Sequence, residues 1–351
     1  MYFASSHKVG QPLLAVPQIQ PPVQVTEATI GGQRETPGIW IQGNVVLFRA
    51  MSKRPKKKVL KWLQGAVGRV REFAYAEPPA APQERPRIGV ALGGGFARGI
   101  AHLGVLRVLQ EEKISVDYLT GTSSGALLAI SYASGHTIPE IIRQAQATRF
   151  KDFGSWKLSW LGLASNQKLE HYPRKFLGVS TFEDLKIPLA IAATDLATGE
   201  AVYFSHGQLG PALRASCAYP GMFVPVEVEG RMLVDGFLAA PVPVEAARGI
   251  GADIVIAVFL EAANNRRPSS IVDVIGLSFG ILQRHADLEW RRTADVVIEP
   301  IVKDFLWDDF DRTDELIAAG EAAARAALPG IRAAIAAKSS AEKPEANSGG
   351  V

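Results

Sequence analysis

The stretch VALGGGFARGIAHLGVL, Val90 to Leu106, decides the fold. An apolar, β-rich run leads into three glycines, and a run with helical spacing follows, so the segment reads as strand, turn and helix. Glycines at such a junction cradle a nucleotide phosphate, expose backbone N–H groups to a developing anion, or simply make the turn. A dinucleotide fingerprint requires G-x-G-x-x-G. Starting at Gly93 the last position is Arg98, and starting at Gly94 the third is Phe96, so neither frame fits. A phosphate loop would close on Gly-Lys-Ser/Thr, whereas Gly99 is followed by Ile100 and Ala101. Nucleotide binding is excluded on register, leaving a plain turn or a set of N–H donors at a helix N-terminus.

The next strand-to-helix junction separates these two uses. VDYLTGTSSGALLAI, Val116 to Ile130, holds Gly121-Thr122-Ser123-Ser124-Gly125, a G-x-S-x-G between a strand and a helix. Small residues two positions either side of Ser123 permit the tight turn that projects a nucleophilic hydroxyl above a sheet edge. Ser124 lies in the same motif, but the spacing to both glycines selects Ser123. A nucleophilic serine needs a base. His102, His136, His171 and His206 precede any late acid, and His285 in ILQRHADLEW reads as the middle of a helix, so a triad histidine finds no support. The better partner is Asp235 in GRMLVDGFLAAPVP, a carboxylate at a strand end before Gly236. Its bland alternative is an Asp-Gly turn.

Outward from these motifs, β-rich runs alternate with helical ones. RIGVAL, VDYLT, PLAIAAT, AVYFS, MLVD, DIVIAVF and DVVIEP are separated by helices, and an Ala-rich helix comes last. This alternation predicts an α/β three-layer sandwich: a mostly parallel central sheet with helices on both faces. RFKDFGSWKLSWLGLASNQKLEHY, Arg149 to Tyr172, carries Phe150, Phe153, Trp156, Trp160, Leu161 and Leu163. These are the natural cap over an apolar channel, with core packing as the alternative.

The chain has 351 residues, 47% of them hydrophobic and 21% charged, enough for a large core and unlike a disordered or fibrous protein. We expect residues 1–50 to be a low-order segment, with Met51 as a second candidate start. Residues 51–76 read as a basic amphipathic helix: Val59, Leu63, Val67, Val70 and Phe73 recur at helical spacing with Trp62 beside them. Lys53, Arg54, Lys56, Lys57, Lys58, Lys61, Arg69 and Arg71 precede the first acid, Glu72. Such a helix suits peripheral contact of residues 53–73 with an anionic membrane, or packing on the body of the protein. Residues 77–86 read as a Pro-rich linker, 87–335 as the catalytic domain and 336–351 as a disordered tail. A net charge of +3 does not suggest a nucleic-acid partner. Cys217 is the single cysteine, which excludes an intrachain disulfide and reads as a buried small hydrophobe in a reducing compartment. No apolar run approaches the roughly 18 residues of a membrane span. The expected location is cytoplasmic, peripheral on the inner face of the membrane.

Taken together, GGGFARG after the first strand, GTSSG after the second and DG after a later one resemble the patatin-like phospholipase family, particularly its bacterial members. HLGVLRVLQE, LRASCAYPGMFVPVEVEGRMLVDG and DFDRTDELIAAGEAAA extend the resemblance over about Arg87 to Leu328. It implies a Ser-Asp dyad with Ser123 as nucleophile and Asp235 as base, and an oxyanion hole from the backbone N–H groups of Gly94, Gly95 and Phe96. Arg98 is then the candidate for attracting an anionic headgroup. The resemblance implies a phospholipid or lysophospholipid substrate, no cofactor and no metal. An acyltransferase on the same dyad and a non-catalytic lipid-binding scaffold are the alternatives. Phe96 and Phe237 stand where the family usually has glycine and a small residue, and Leu238-Ala239-Ala240-Pro241 replaces an Asn-rich segment, so the pocket is expected to be reshaped.

Overall fold

The computed structural model describes residues 39–42, 45–48, 85–157, 159–261, 267–268, 270–285 and 289–341. The chain divides into two units, Met1–Pro82 and Gln83–Val351. In the first, Ile39–Gln42 (β1) and Val45–Phe48 (β2) pair as an antiparallel hairpin with Ile39 opposite Phe48. The expected basic helix of residues 51–76 lies outside the described residues, as does most of the linker.

In the second unit the chain runs through Ile88–Leu92 (β3), Ala101–Glu111 (α1), Tyr118–Thr122 (β4), Ser124–Ala133 (α2) and Ile138–Ala147 (α3). Next come the two-residue strands Ser155–Trp156 (β5) and Ala164–Ser165 (β6), then Leu189–Asp195 (β7), Ala201–Phe204 (β8), Leu209–Ser216 (α4), Val226–Val228 (β9) and Arg231–Asp235 (β10). Val244–Gly249 (α5), Ile254–Val258 (β11), Ile271–His285 (α6), Val296–Ile298 (β12) and Thr313–Ala341 (α7) complete it. The sheet order is β12-β11-β3-β4-β7-β10-β9, with β8 also on β7. The strands from β12 to β7 are parallel, and β8, β10 and β9 add an antiparallel edge.

Strand periodicity explains the layers. Ile88, Val90 and Leu92 of β3 and Ile254, Ile256 and Val258 of β11 join one core with α1, α2 and α7. The alternate residues Ala91, Val255 and Ala257 join a second core with Val244 and Ala247 of α5 and Trp290. Both faces are therefore covered, as a parallel sheet demands. The first core packs α7 across α1 with backbones in contact: a Cβ on Gly104 would overlap Ile317 O, and one on Gly320 would overlap Ala101 O. The last helix runs to Ala341, past the domain end expected at 335. The alanines of AAIAAKSSA favour helix strongly enough to carry it on.

Two features of this sheet set up the site. Strand order reverses at β3, so the glycine turn that follows it opens into the crevice where α/β folds bind ligands. Register then levels two distant residues, since Thr122 pairs with Ala192 on one side of β7 and Ala193 pairs with Asp235 on the other. Ser123 and Asp235 thus lie at the same height, one strand apart. The antiparallel edge, which alternation of strands and helices does not reveal, arises from tight turns. Glu229 and Gly230, between β9 and β10, both have positive φ, 51° and 76°, as two-residue hairpin loops require.

Candidate active site

Ser123 occupies a sharp elbow between β4 and α2, with φ 55° and ψ −122°. This is a strained conformation for a residue with a side chain, and it holds because its surroundings over-determine it. A Cβ on Gly125 would overlap Leu92 O, and one on Gly121 would lie 2.5 Å from Ala126 Cα, so both motif glycines are required by close approach. The Ser123 N–H donates to Ser216 Oγ at 2.9 Å, from the end of α4. Ser123 is buried, and Ser124 Oγ lies buried against Gly99 with no hydrogen-bond partner.

Asp235 is fully buried at the end of β10. Its N–H donates to Ala218 O, and its carbonyl accepts from Thr194 Oγ1 at 2.9 Å. The two carboxylate oxygens have different surroundings. Oδ1 accepts from the Phe237 N–H at 2.9 Å, the turn-capping role expected of an Asp-Gly pair. Oδ2 makes no full hydrogen bond. Burial pushes the carboxyl up to about 7, against the opposing pull of the Phe237 N–H and of the Ser123 hydroxyl beside it. A poised acid–base group with a free lone pair therefore faces a serine hydroxyl.

The glycine turn lies opposite. Gly94 approaches Ser123 closely, a Cβ there coming within 3.4 Å of the serine Cβ. Its N–H is donated to Pro241 O at 3.3 Å. The N–H groups of Gly95 and Phe96 find no acceptor among the described residues, which leaves two open donors beside the nucleophile. Phe96 has φ 53°, so the position tolerates a side chain in a left-handed conformation that glycine adopts without strain. The turn is braced from two sides. The imidazole of His102 donates from Nε2 to Gly93 O at 2.8 Å, and burial lowers its pKa to about 4, keeping it neutral. Arg98 donates through Nε to Gly95 O and through its guanidinium to Glu261 O. Burial lowers Arg98 to about 10, so it remains a cation at neutral pH.

Ser123 stands where two cavities meet. One is lined by apolar residues including Leu127, Ala145, Phe153, Leu169 and Phe223. The other is lined by Gly95, Arg98, Asp235 and Phe237, with Asp273 and Leu277 of α6. Phe96 and Trp307 border both, with ring centroids 5.7 Å apart, and Tyr219 meets Phe96 edge-on at 4.9 Å. Phe96 and Phe237, the two departures from the family pattern, share an aromatic wall with Tyr219 and Phe279.

No histidine among the described residues lines either cavity. His285 is helical, in α6, and the residues that follow it, 286–288, lie outside the described residues. Nor does any group of three His, Cys, Asp or Glu among the described residues form a metal site. Cys217 lies beside the Ser123 hydroxyl, and burial pushes its thiol well up. In the cap segment, Phe153, Leu169 and Tyr172 line the apolar cavity, but Trp156, Trp160, Leu161 and Leu163 are exposed and form neither channel nor core. The Phe150 side chain lies outside the described residues. Ser216, Thr194 and Trp307 escaped the sequence reading because each reaches the site only through tertiary contact.

Residues 90–248 match the sequence profile of the patatin-like phospholipase family. An uncharacterised NTE family protein of Mycobacterium tuberculosis is similar, with 36% identity over 181 residues, 51% of this chain and 50% of that protein. Lysophospholipase nte1 of Aspergillus fumigatus is 28% identical over 203 residues, 56% of this chain and 13% of that protein. VipD from Legionella pneumophila superimposes with a TM-score of 0.43 and 14% identity, covering 71% of this chain and 67% of that one. The chain spans about half the length of the mycobacterial relatives that it matches.

Proposed function

We propose that this chain, residues 90–248 of which match the patatin-like phospholipase family, hydrolyses fatty acyl esters of phospholipids or lysophospholipids through a Ser123–Asp235 dyad. The observation that carries this reading is the unpartnered Asp235 Oδ2, buried beside the Ser123 hydroxyl. Ser123 Oγ attacks the ester carbonyl as Asp235 accepts its proton. The tetrahedral oxyanion is met by the N–H groups of Gly95 and Phe96, fixed before reaction by His102 and Arg98. Asp235 returns the proton to the leaving alcohol, and water then attacks the acyl-enzyme by the same proton route, releasing the fatty acid.

The two cavities suit the two halves of such a substrate. The acyl chain takes the apolar cavity beside Leu127 and Phe153, and the alcohol side, with any anionic headgroup, takes the cavity beside Arg98. The eight Lys and Arg residues between Lys53 and Arg71 support contact with an anionic membrane, and cytoplasmic placement on its inner face belongs to the same reading.

The deciding test is product analysis after incubation with a mixed lipid extract, comparing the parent with Ser123→Ala and Ser124→Ala. The parent and Ser124→Ala should release fatty acid, and Ser123→Ala should lose several orders of magnitude in rate. Equal losses in both variants would overturn the assignment.

A further inference from the structure

The segment between Phe153 and Leu169 leaves the rim of the apolar cavity and returns to it, carrying the β5–β6 hairpin between these two lining residues. The hairpin is rooted firmly. Leu163 N–H donates to Gly221 O, Ala164 N–H to Met222 O, and Val224 N–H to Ala164 O, which seats it along residues 221–224, where Phe223 lines the same cavity. A Cβ on Gly162 would lie 2.7 Å from Phe223 C, so the hairpin sits directly on that segment.

Its outer part is unusual for a solvated loop. Trp160 is wholly exposed, Leu161 is 65% exposed and Leu163 is 41% exposed. Phe176, stacked near Tyr172 of the cavity wall, is half exposed on the same rim. On the other flank, Ile275 of α6 meets Gly221, and α6 turns Ile271 and Val274 outward. Residues 149–177 carry exposed Lys151, Lys157, Lys168, Arg174 and Lys175, and of the acids in that stretch, Asp152 and Glu170, the second is paired with Arg214.

We infer that the β5–β6 hairpin inserts Trp160 and Leu161 into a lipid surface and brings the mouth of the acyl cavity onto it. The inference rests on the lipid-ester reading above, which gives the cavity its substrate. A Trp and Leu tip on a segment rich in exposed Lys and Arg matches the two chemistries of a membrane face, an interfacial apolar layer beneath anionic headgroups. A second copy of the chain would have to bring this basic segment against its own equivalent. The surface requires no contact from residues 53–73.

The test uses the full chain and vesicles of phosphatidylcholine and phosphatidylglycerol in 0.5 M NaCl, which screens the contribution of residues 53–73. A Trp160→Ser/Leu161→Ser variant should partition to vesicles at least about tenfold more weakly and lose vesicular lipid hydrolysis in step, because two apolar insertions are gone. Its hydrolysis of a soluble butyryl ester should match the parent, and Trp160→Phe should retain vesicle binding. Unchanged binding by the double variant overturns the proposal. So does a parent dimer in sedimentation that the variant abolishes, which would assign the surface to a second copy, or a joint loss of melting temperature and butyryl ester hydrolysis. A parent that binds vesicles through the hairpin yet cleaves no ester would defeat the dyad reading and leave the membrane surface standing.

Discussion

The backbone N–H of Ser123 donates to the hydroxyl of Ser216 at 2.9 Å, joining the strained elbow after β4 to the end of α4. With φ 55° at Ser123, this bond satisfies a buried donor that the turn would otherwise orphan. Ser216→Ala should cost about 1–3 kcal/mol of stability. It should lower kcat roughly 10- to 100-fold with little change in KM, because the nucleophile loses its aim rather than the cavity its shape. Ser216→Thr, which keeps the hydroxyl, should recover most of the rate. Steady-state kinetics and a thermal melt check both halves.

Asp235 predicts the pH dependence. Its carboxyl is raised to about 7, and the base acts only when ionised, so kcat/KM should rise with pH through about 7 and then level. Asp235→Asn should remove both the activity and the inflection. Stability should move the other way. A carboxyl raised in the folded state holds its proton more tightly there than in the unfolded chain, so stability falls as pH climbs from about 4 toward 7. The Asp235→Asn protein should therefore melt higher than the parent at pH 8 and lose that advantage at pH 4. A parent melting curve insensitive to pH over this interval would contradict the assignment.

His102 separates the carboxylate from a histidine as the source of that inflection. It is held neutral down to about pH 4 while bracing Gly93 O. His102→Gln should lower kcat several-fold by loosening the turn yet leave the inflection near pH 7 in place. Disappearance of the inflection would return the base role to histidine.

Ala145 of α3 lines the apolar cavity. Ala145→Phe should fill part of it, reducing kcat/KM for long-chain esters by about tenfold or more while butyryl esters stay within about twofold, since only a long chain needs the displaced volume. Parallel losses for both substrates would point to a damaged site instead.

Sequence by itself determined the features that depend on neighbours along the chain. The alternation of VAL, LAIAAT and IVIAV with amphipathic runs locates the parallel strands and the helices between them, because side-chain period follows from local backbone geometry. Gly121 and Gly125 around Ser123, and Asp235 before Gly236, mark strand ends where a reactive group emerges, since turn chemistry is also local. Tertiary structure alone decided what those groups can do. Gly94 N–H is engaged because Pro241, far along the chain, folds back onto it, while the N–H groups of Gly95 and Phe96 meet no acceptor among the described residues. Asp235 reaches Ser123 through the antiparallel register of β10 on β7, and burial from every side raises its proton affinity. Trp160 and Leu161 read in the sequence as a cap over an apolar channel, with core packing as the alternative, yet both are exposed, next to Gly162 whose backbone is already packed against Phe223 and Val224. Hydrophobicity along a chain specifies a preference for burial; only the packed surroundings set whether there is room to satisfy it.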